Sequence, residues 1–270
     1  MIQRSTLFRA GPAHQALFLV LLSLLTLPAS PAQTPREWPV LKRYEQSHTG
    51  RIALPVGGIG TGTVSLSGRG ALVDWEIVNR PAVGFKPSPS FFALFAQAEG
   101  QAPVTRLLEG PLEEHHYIGN QGATADLPGL PRFARHAFAA AYPFGQVYLA
   151  DEAVPLDVTV RAFNPLVPGD VPASSLPVAV LRYVLVNKTA KPVQASVCAS
   201  LQNFIGTDGL YGKTTKNTNT FRRGDAVQGI WMQTAGTAPC DERYGTIALT
   251  TSAQNTVSYR TSWPPTTLWF

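Results

Sequence analysis

Two carboxylates, Asp74 and Glu76, stand two residues apart in the run Ala71 to Val78, the first spacing in the chain that could do chemistry. In an extended strand, two residues of rise set their Cα atoms about 7 Å apart on one face. A retaining glycosidase holds its two carboxyl groups roughly 5 to 5.5 Å apart, on opposite sides of the scissile bond. Two carboxylates leaving one strand in the same direction lie on one side of a sugar ring. Their expected role is therefore to accept hydrogen bonds from neighbouring backbone or from Arg80.

The segment Pro55 to Gly62 (P-V-G-G-I-G-T-G) invites a phosphate-binding reading. The spacing is neither the dinucleotide fingerprint nor a Walker loop with its Lys. No strand is expected before it, and a strand rather than a helix is expected after it, so no helix N-terminus would cradle a phosphate. Gly57, Gly58, Gly60 and Gly62 instead supply positive φ and let another backbone or a ligand approach closely.

Glu113-Glu114-His115-His116 carries ligand-type side chains. Neighbours on an extended segment point apart, however, and a zinc site needs convergent groups. No metal site is expected, and His48 and His136 are isolated. No Gly-x-Ser-x-Gly elbow marks a nucleophile. Trp75, Trp231, Trp263 and Trp269 could stack on sugars, although aromatics at strand spacing are more often core.

The elements that must position these residues read as short strands. Thr63 to Ser67 and Ala71 to Val78 form a hairpin across Ser67-Gly68-Arg69-Gly70. Its second strand turns Ala71, Val73, Trp75 and Ile77 to one face, and Asp74 and Glu76 to the other. Phe91 to Gln97 is an apolar strand, and Leu156, Val158, Val160 and Ala162 alternate with polar residues. The runs Val178 to Val186 and Val193 to Leu201, separated by a polar turn, are expected to pair, with the first more deeply buried. Val227 to Gln233, Thr246 to Thr250 and Thr256 to Thr261 are further strands, and Leu210 to Arg223 reads as a loop. The best helix pattern, Pro131 to Ala141, is Ala-rich but short. Many strands, 23 Gly and 23 Pro, and almost no helix predict an all-β fold, an antiparallel two-sheet β-sandwich.

The first 32 residues differ from the rest. Arg4 and Arg9 precede the apolar run Ala16 to Leu27, and Ser30 and Ala32 offer small residues for cleavage. This is the pattern of a signal peptide, and it implies a secreted or periplasmic protein with no membrane attachment after cleavage. Residues 33–50 form a polar lead-in, and the ordered domain is expected from about Arg51 to residue 270. Removing two of the 22 basic residues against 17 acids leaves 20 − 17, a net charge of +3 with no basic run, so no nucleic-acid partner is implied. Cys198 and Cys240 are the only cysteines, and the sequence leaves open whether they bridge.

Several stretches resemble, in order, the N-terminal domain of glycoside hydrolase family 116, which includes β-glucosidases and the non-lysosomal glucosylceramidases. They are Pro55 to Gly62, Ser67 to Pro81 (S-G-R-G-A-L-V-D-W-E-I-V-N-R-P), Phe91 to Leu94, Arg161 to Pro165, Ser174 to Ala179 and Gln202 to Gly206. Trp263 and Leu268 to Phe270 resemble the approach to that domain's end. The resemblance implies a supersandwich-like β-domain packed on an (α/α)6 barrel that carries the nucleophilic Glu and the acid/base Asp of retaining β-glycoside hydrolysis. That barrel is expected to be absent from this chain, so no catalytic residue is carried over and no cofactor is implied. Gly57, Gly58, Gly60, Gly62, Asp74, Trp75 and Glu76 then become expected substrate-rim or domain-interface positions. The implied partners are a helical catalytic domain and a β-linked sugar. Two other readings remain: a free-standing carbohydrate-binding or assembly module, and hydrolysis by Asp74 and Glu76 themselves.

Overall fold

The computed structural model describes residues 42–78, 80–113, 116, 127, 129–254 and 257–263. These all fall within one compact unit, Val40–Phe270. The signal-peptide pattern and the motif Leu268 to Phe270 lie outside the described residues, and no described helix is long and apolar enough to cross a membrane.

The fold is nearly all β, and every pairing between the described strands is antiparallel. A five-stranded sheet runs in the order β1 (Lys42–Glu45), β7 (Arg135–Ala141), β8 (Phe144–Ala150), β9 (Leu156–Phe163), β10 (Val180–Asn187). Three smaller sheets have three strands each. One joins β2 (Ala53–Val56), β3 (Thr63–Ser67) and β4 (Leu72–Glu76). Another sets β5 (Phe91–Ala98) between β11 (Val193–Ser200) and β6 (Val104–Leu107), and the last joins β12 (Asn217–Arg223), β13 (Gln228–Thr234) and β14 (Thr246–Thr251). Among the described residues the expected two sheets are thus four.

The arrangement is nonetheless sandwich-like, because one core joins three of the sheets. Phe138, Val147, Leu149, Val158 and Val160 of the five-stranded sheet share a buried cluster with Leu54, Val56, Val64 and Leu66 of β2 and β3 and with Leu94 and Ala96 of β5. Strand β9 shows why: its apolar residues fall on alternate positions, and Leu156, Val158, Val160 and Ala162 are all buried. Burying such a stripe contributes about 1.5–3 kcal/mol per large side chain.

Several expectations fail for identifiable reasons. Pro131 to Ala141 is not helical: its Ala-rich part is β7, which forms a hairpin with β8. Helix propensity is a weak prior, and an isolated helix this short is marginal, whereas an apolar run two residues downstream offers a full strand partner. The runs around residues 178–186 and 193–201 do not pair with each other. β10 pairs with β9 and β11 pairs with β5, so the polar turn carries the chain from one sheet to another. Nor is the first run deeply buried, because β10 is an edge strand with Val180 and Val186 exposed.

Leu210 to Arg223 is a loop only in part, since its second half is β12. That strand carries amides where a core stripe was sought: the Asn217 amide nitrogen donates to Ile205 O at 3.0 Å, and that of Asn219 donates to Thr261 O at 2.8 Å. The described part of Thr256 to Thr261 is not a strand. The folded sheet also starts before Arg51, because β1 pairs with β7 along its length. Cys198 and Cys240 are both free and exposed.

Candidate functional site

The Gly-rich loop joins β2 to β3, so a strand does precede it, contrary to expectation. A second strand follows it, and there is still no helix N-terminus at which a phosphate could sit. Gly57, Gly60 and Gly62 have φ of 112°, 74° and 84°, where L side chains are strained. Close approach decides two positions. A Cβ on Gly58 would fall 2.8 Å from the carbonyl carbon of Leu176, and one on Gly62 would fall 2.8 Å from Ile77 Cα. Gly60 has open space around it. The loop is fastened where it approaches: Ile59 N donates to Ser174 O at 2.8 Å, and Thr61 Oγ1 donates to Gly58 O at 2.9 Å.

Ser174 belongs to a single helical turn, Val171–Ser174, whose N-terminus is capped by Asp170 accepting from Ala173 N. Beyond it Leu176, Pro177, Val178 and Val180 are exposed. The loop and this apolar strip, far apart in sequence, therefore lie side by side.

Strand β4 departs from simple alternation. Thr63 pairs with Glu76 and Ser65 with Val73, so the register shifts and β4 carries one residue more than β3. Asp74 lies in that irregularity with φ 51°. All five β4 residues are half-buried, and the expected division into two faces does not hold. Asp74 Oδ1 accepts from Gly84 N at 2.7 Å, and Glu76 Oε1 accepts from Ala82 N at 2.9 Å. Both carboxylates thus fasten the turn that follows β4. Arg80 turns elsewhere, donating to Asp208 at 3.1 Å and pairing with Glu242.

Trp75 stands edge-on to Phe204 with centroids 5.6 Å apart. Together with Gly57, Gly58, Gly62, Phe92 and Leu181, these two residues line a cavity of about 520 Å³. The structure thus brings Trp75 and three of the four glycines to one cavity. Asp74 lines a different cleft, with Arg69 and Lys86.

At the cavity wall sits Glu109, a buried residue that the sequence did not mark. Its Oε2 accepts from Arg69 at 2.5 Å and Arg132 at 3.2 Å, and Lys86 lies 3.9 Å from Oε1. Burial pushes the carboxyl up, but Arg69, Lys86 and Arg132 together hold it below the ordinary glutamate value. The cluster places an ionised acid among cations rather than a proton donor. His136, expected to be isolated, shares a 2.7 Å hydrogen bond with Thr49 Oγ1, and burial lowers its pKa. Of the metal-type run, Glu113 N donates to His116 Nδ1 at 3.1 Å, and Glu114 and His115 lie outside the described residues.

The tryptophans do not share one platform. Trp75 is in the cavity, and Trp231 lies in the middle of β13 with the Arg222 guanidinium 4.3 Å from its ring centre. Trp263 borders a separate cleft, and Trp269 lies outside the described residues.

Residues 53–269 match the family model described as beta-glucosidase 2, glycosyl-hydrolase family 116 N-term. No curated protein matches the chain.

Proposed function

The chain belongs to glycosyl-hydrolase family 116 through that N-terminal domain, and from this premise we propose that it is the non-catalytic β-domain of an exported retaining β-glycosidase. In this reading it packs on a helical catalytic domain and helps shape the rim of that domain's sugar pocket. The substrate class is a β-glucoside or glucosylceramide-like β-linked sugar, and the acid and nucleophile belong to the helical partner. In this reading Gly57, Gly58, Gly60, Gly62, Asp74, Trp75 and Glu76 are the rim or interface residues.

The observation that carries the reading is the apolar strip beside the glycine loop: Leu176, Val178 and Val180 are 50%, 46% and 41% exposed, next to Ile59 at 49%. Contiguous apolar surface is costly in water and marks an interaction site. The loop itself is held by backbone bonds, so it would present a fixed edge to a partner without an ordering cost.

Separately produced helical domain of a family 116 β-glucosidase, mixed with this chain at micromolar concentration, is expected to co-elute with it in size-exclusion chromatography. Leu176→Asp with Val178→Asp should abolish that complex while leaving the far-ultraviolet circular dichroism unchanged. Failure of the wild-type chain to associate, or undiminished association of the double variant, refutes the reading. Export is tested at the N-terminus of the secreted product, which should begin at Gln33.

A further inference from the structure

A second site lies away from the glycine loop, between the inner face of the β12–β14 sheet and residues 199–203. It is an open cleft of about 920 Å³. Its floor is apolar, formed by Leu201, Ile230, Met232 and Leu249. One side is the ring of Trp263, 39% exposed, with the Arg260 guanidinium 5.6 Å from its centre.

The polar groups at this cleft fall into two sets. One set is spent on holding the walls. Asn219 donates to Thr261 O at 2.8 Å, which fixes the strap carrying Arg260 and Trp263 to the sheet. Asn203 donates to Asn219 Oδ1 at 2.8 Å, and Gln202 N donates to Ser90 Oγ at 3.2 Å, which fixes the opposite wall. The other set has no hydrogen-bonding protein partner among the described residues: the Gln202 side-chain amide, the Arg260 guanidinium and the hydroxyls of Ser88 and Ser262. Fixed walls with unengaged donors and acceptors around an aromatic ring make a preorganised site.

The chemistry selects the ligand. Among the described residues no carboxylate lines the cleft, and the one cation there lies over an aromatic ring. A phosphate-rich ligand would find one guanidinium and no helix N-terminus; a purely apolar one would leave the amide and hydroxyls without partners. A pyranose ring satisfies both sets, because one face is all C–H and can lie on the indole, while its edge carries hydroxyls that donate and accept. We propose that this cleft binds a neutral saccharide, with a pyranose stacked on Trp263 and its hydroxyls hydrogen-bonded by Gln202 and Arg260.

This inference goes beyond docking to a catalytic domain. Its test uses the chain alone, so either idea can fail without the other. Cellotetraose and laminaritetraose, titrated calorimetrically into the purified chain, should give saturable binding with at least one of the two. Trp263→Ala should weaken that binding by about ten-fold, the order expected for one aromatic contact. Gln202→Ala should weaken it several-fold with no change in urea midpoint, since that amide supports nothing in the fold. Trp231→Ala, on the other face of the sheet, should bind as wild type. The proposal is overturned if neither sugar binds at millimolar concentration, or if the Gln202 and Trp263 variants bind undiminished. Should Trp263→Ala misfold, the Gln202 variant decides alone.

Discussion

Replacing Glu109 by Gln removes one charge from the most buried ionic cluster among the described residues and keeps its shape. The side chains of Arg69, Arg132 and Glu109 are 9%, 5% and 6% exposed, so water cannot replace the missing carboxylate. Removing one partner of a buried ion pair costs about 3–5 kcal/mol, against total stabilities of about 5–15 kcal/mol for a folded domain. Two buried guanidiniums, Arg69 and Arg132, donate to this acid and Lys86 lies close by, which places the expected loss at about 3 kcal/mol. With a urea slope of about 3 kcal/mol per molar, the unfolding midpoint should fall by about 1 M. Acidification gives an independent check. Burial raises the Glu109 carboxyl, but Arg69, Lys86 and Arg132 hold it below its ordinary, unfolded value. The stabilisation from a depressed carboxyl is fully present above the unfolded pKa and is lost as pH falls through the folded one. Wild-type stability should therefore drop in that acid window, and the Gln variant, already lacking the charge, should show a flatter profile there. A loss below about 1 kcal/mol at neutral pH, the size typical of an exposed ion pair, refutes the argument.

The glycine loop makes a paired prediction. Gly58→Ala meets backbone of Ser175 and Leu176 at 2.8 Å and should cost about 1–3 kcal/mol. Gly60→Ala, in open space with φ 74°, should cost only about 1 kcal/mol of backbone strain, and equal losses in urea unfolding would contradict this. Thiol titration of the unfolded, unreduced chain should find two free cysteines, while finding none would reveal a bridge. The purified chain alone should not turn over an aryl β-glucoside, because Asp74 and Glu76 are engaged by the backbone nitrogens of Gly84 and Ala82; turnover abolished by Glu76→Gln would reverse that reading.

Much of the fold was legible wherever a strand buries one face. Leu156 to Ala162 could be read directly, because alternation and burial coincide in β9. β12 escaped because Asn217 and Asn219 occupy its inward positions, and amides that bond to Asn203 carry no hydropathy signal. Pairing was harder still. Nothing local tells β10 to join β9 and β11 to join β5 across a two-sheet turn, since either run could serve either sheet. At the site, the glycines signalled a close approach, but Leu176, more than a hundred residues away, could not be named as its object. Glu109 gave no signal at all, because its partners Arg69 and Arg132 come from separate loops. Trp263 was visible as an aromatic, and only the fold joins it to Gln202.

The same long-range pairing sets a timetable for synthesis. β5 finds β6 within a short hairpin, but its other neighbour, β11, begins at Val193. At roughly 5–20 residues per second, the ribosome takes about 5 to 20 seconds to deliver the ~100 residues between them. For that interval the nascent chain carries one open flank of an apolar eight-residue strand, and β1 likewise waits for β7. The interval is a window for wrong pairing between neighbouring nascent chains on one message, so slower translation should lower the soluble yield unless a holding chaperone covers that flank.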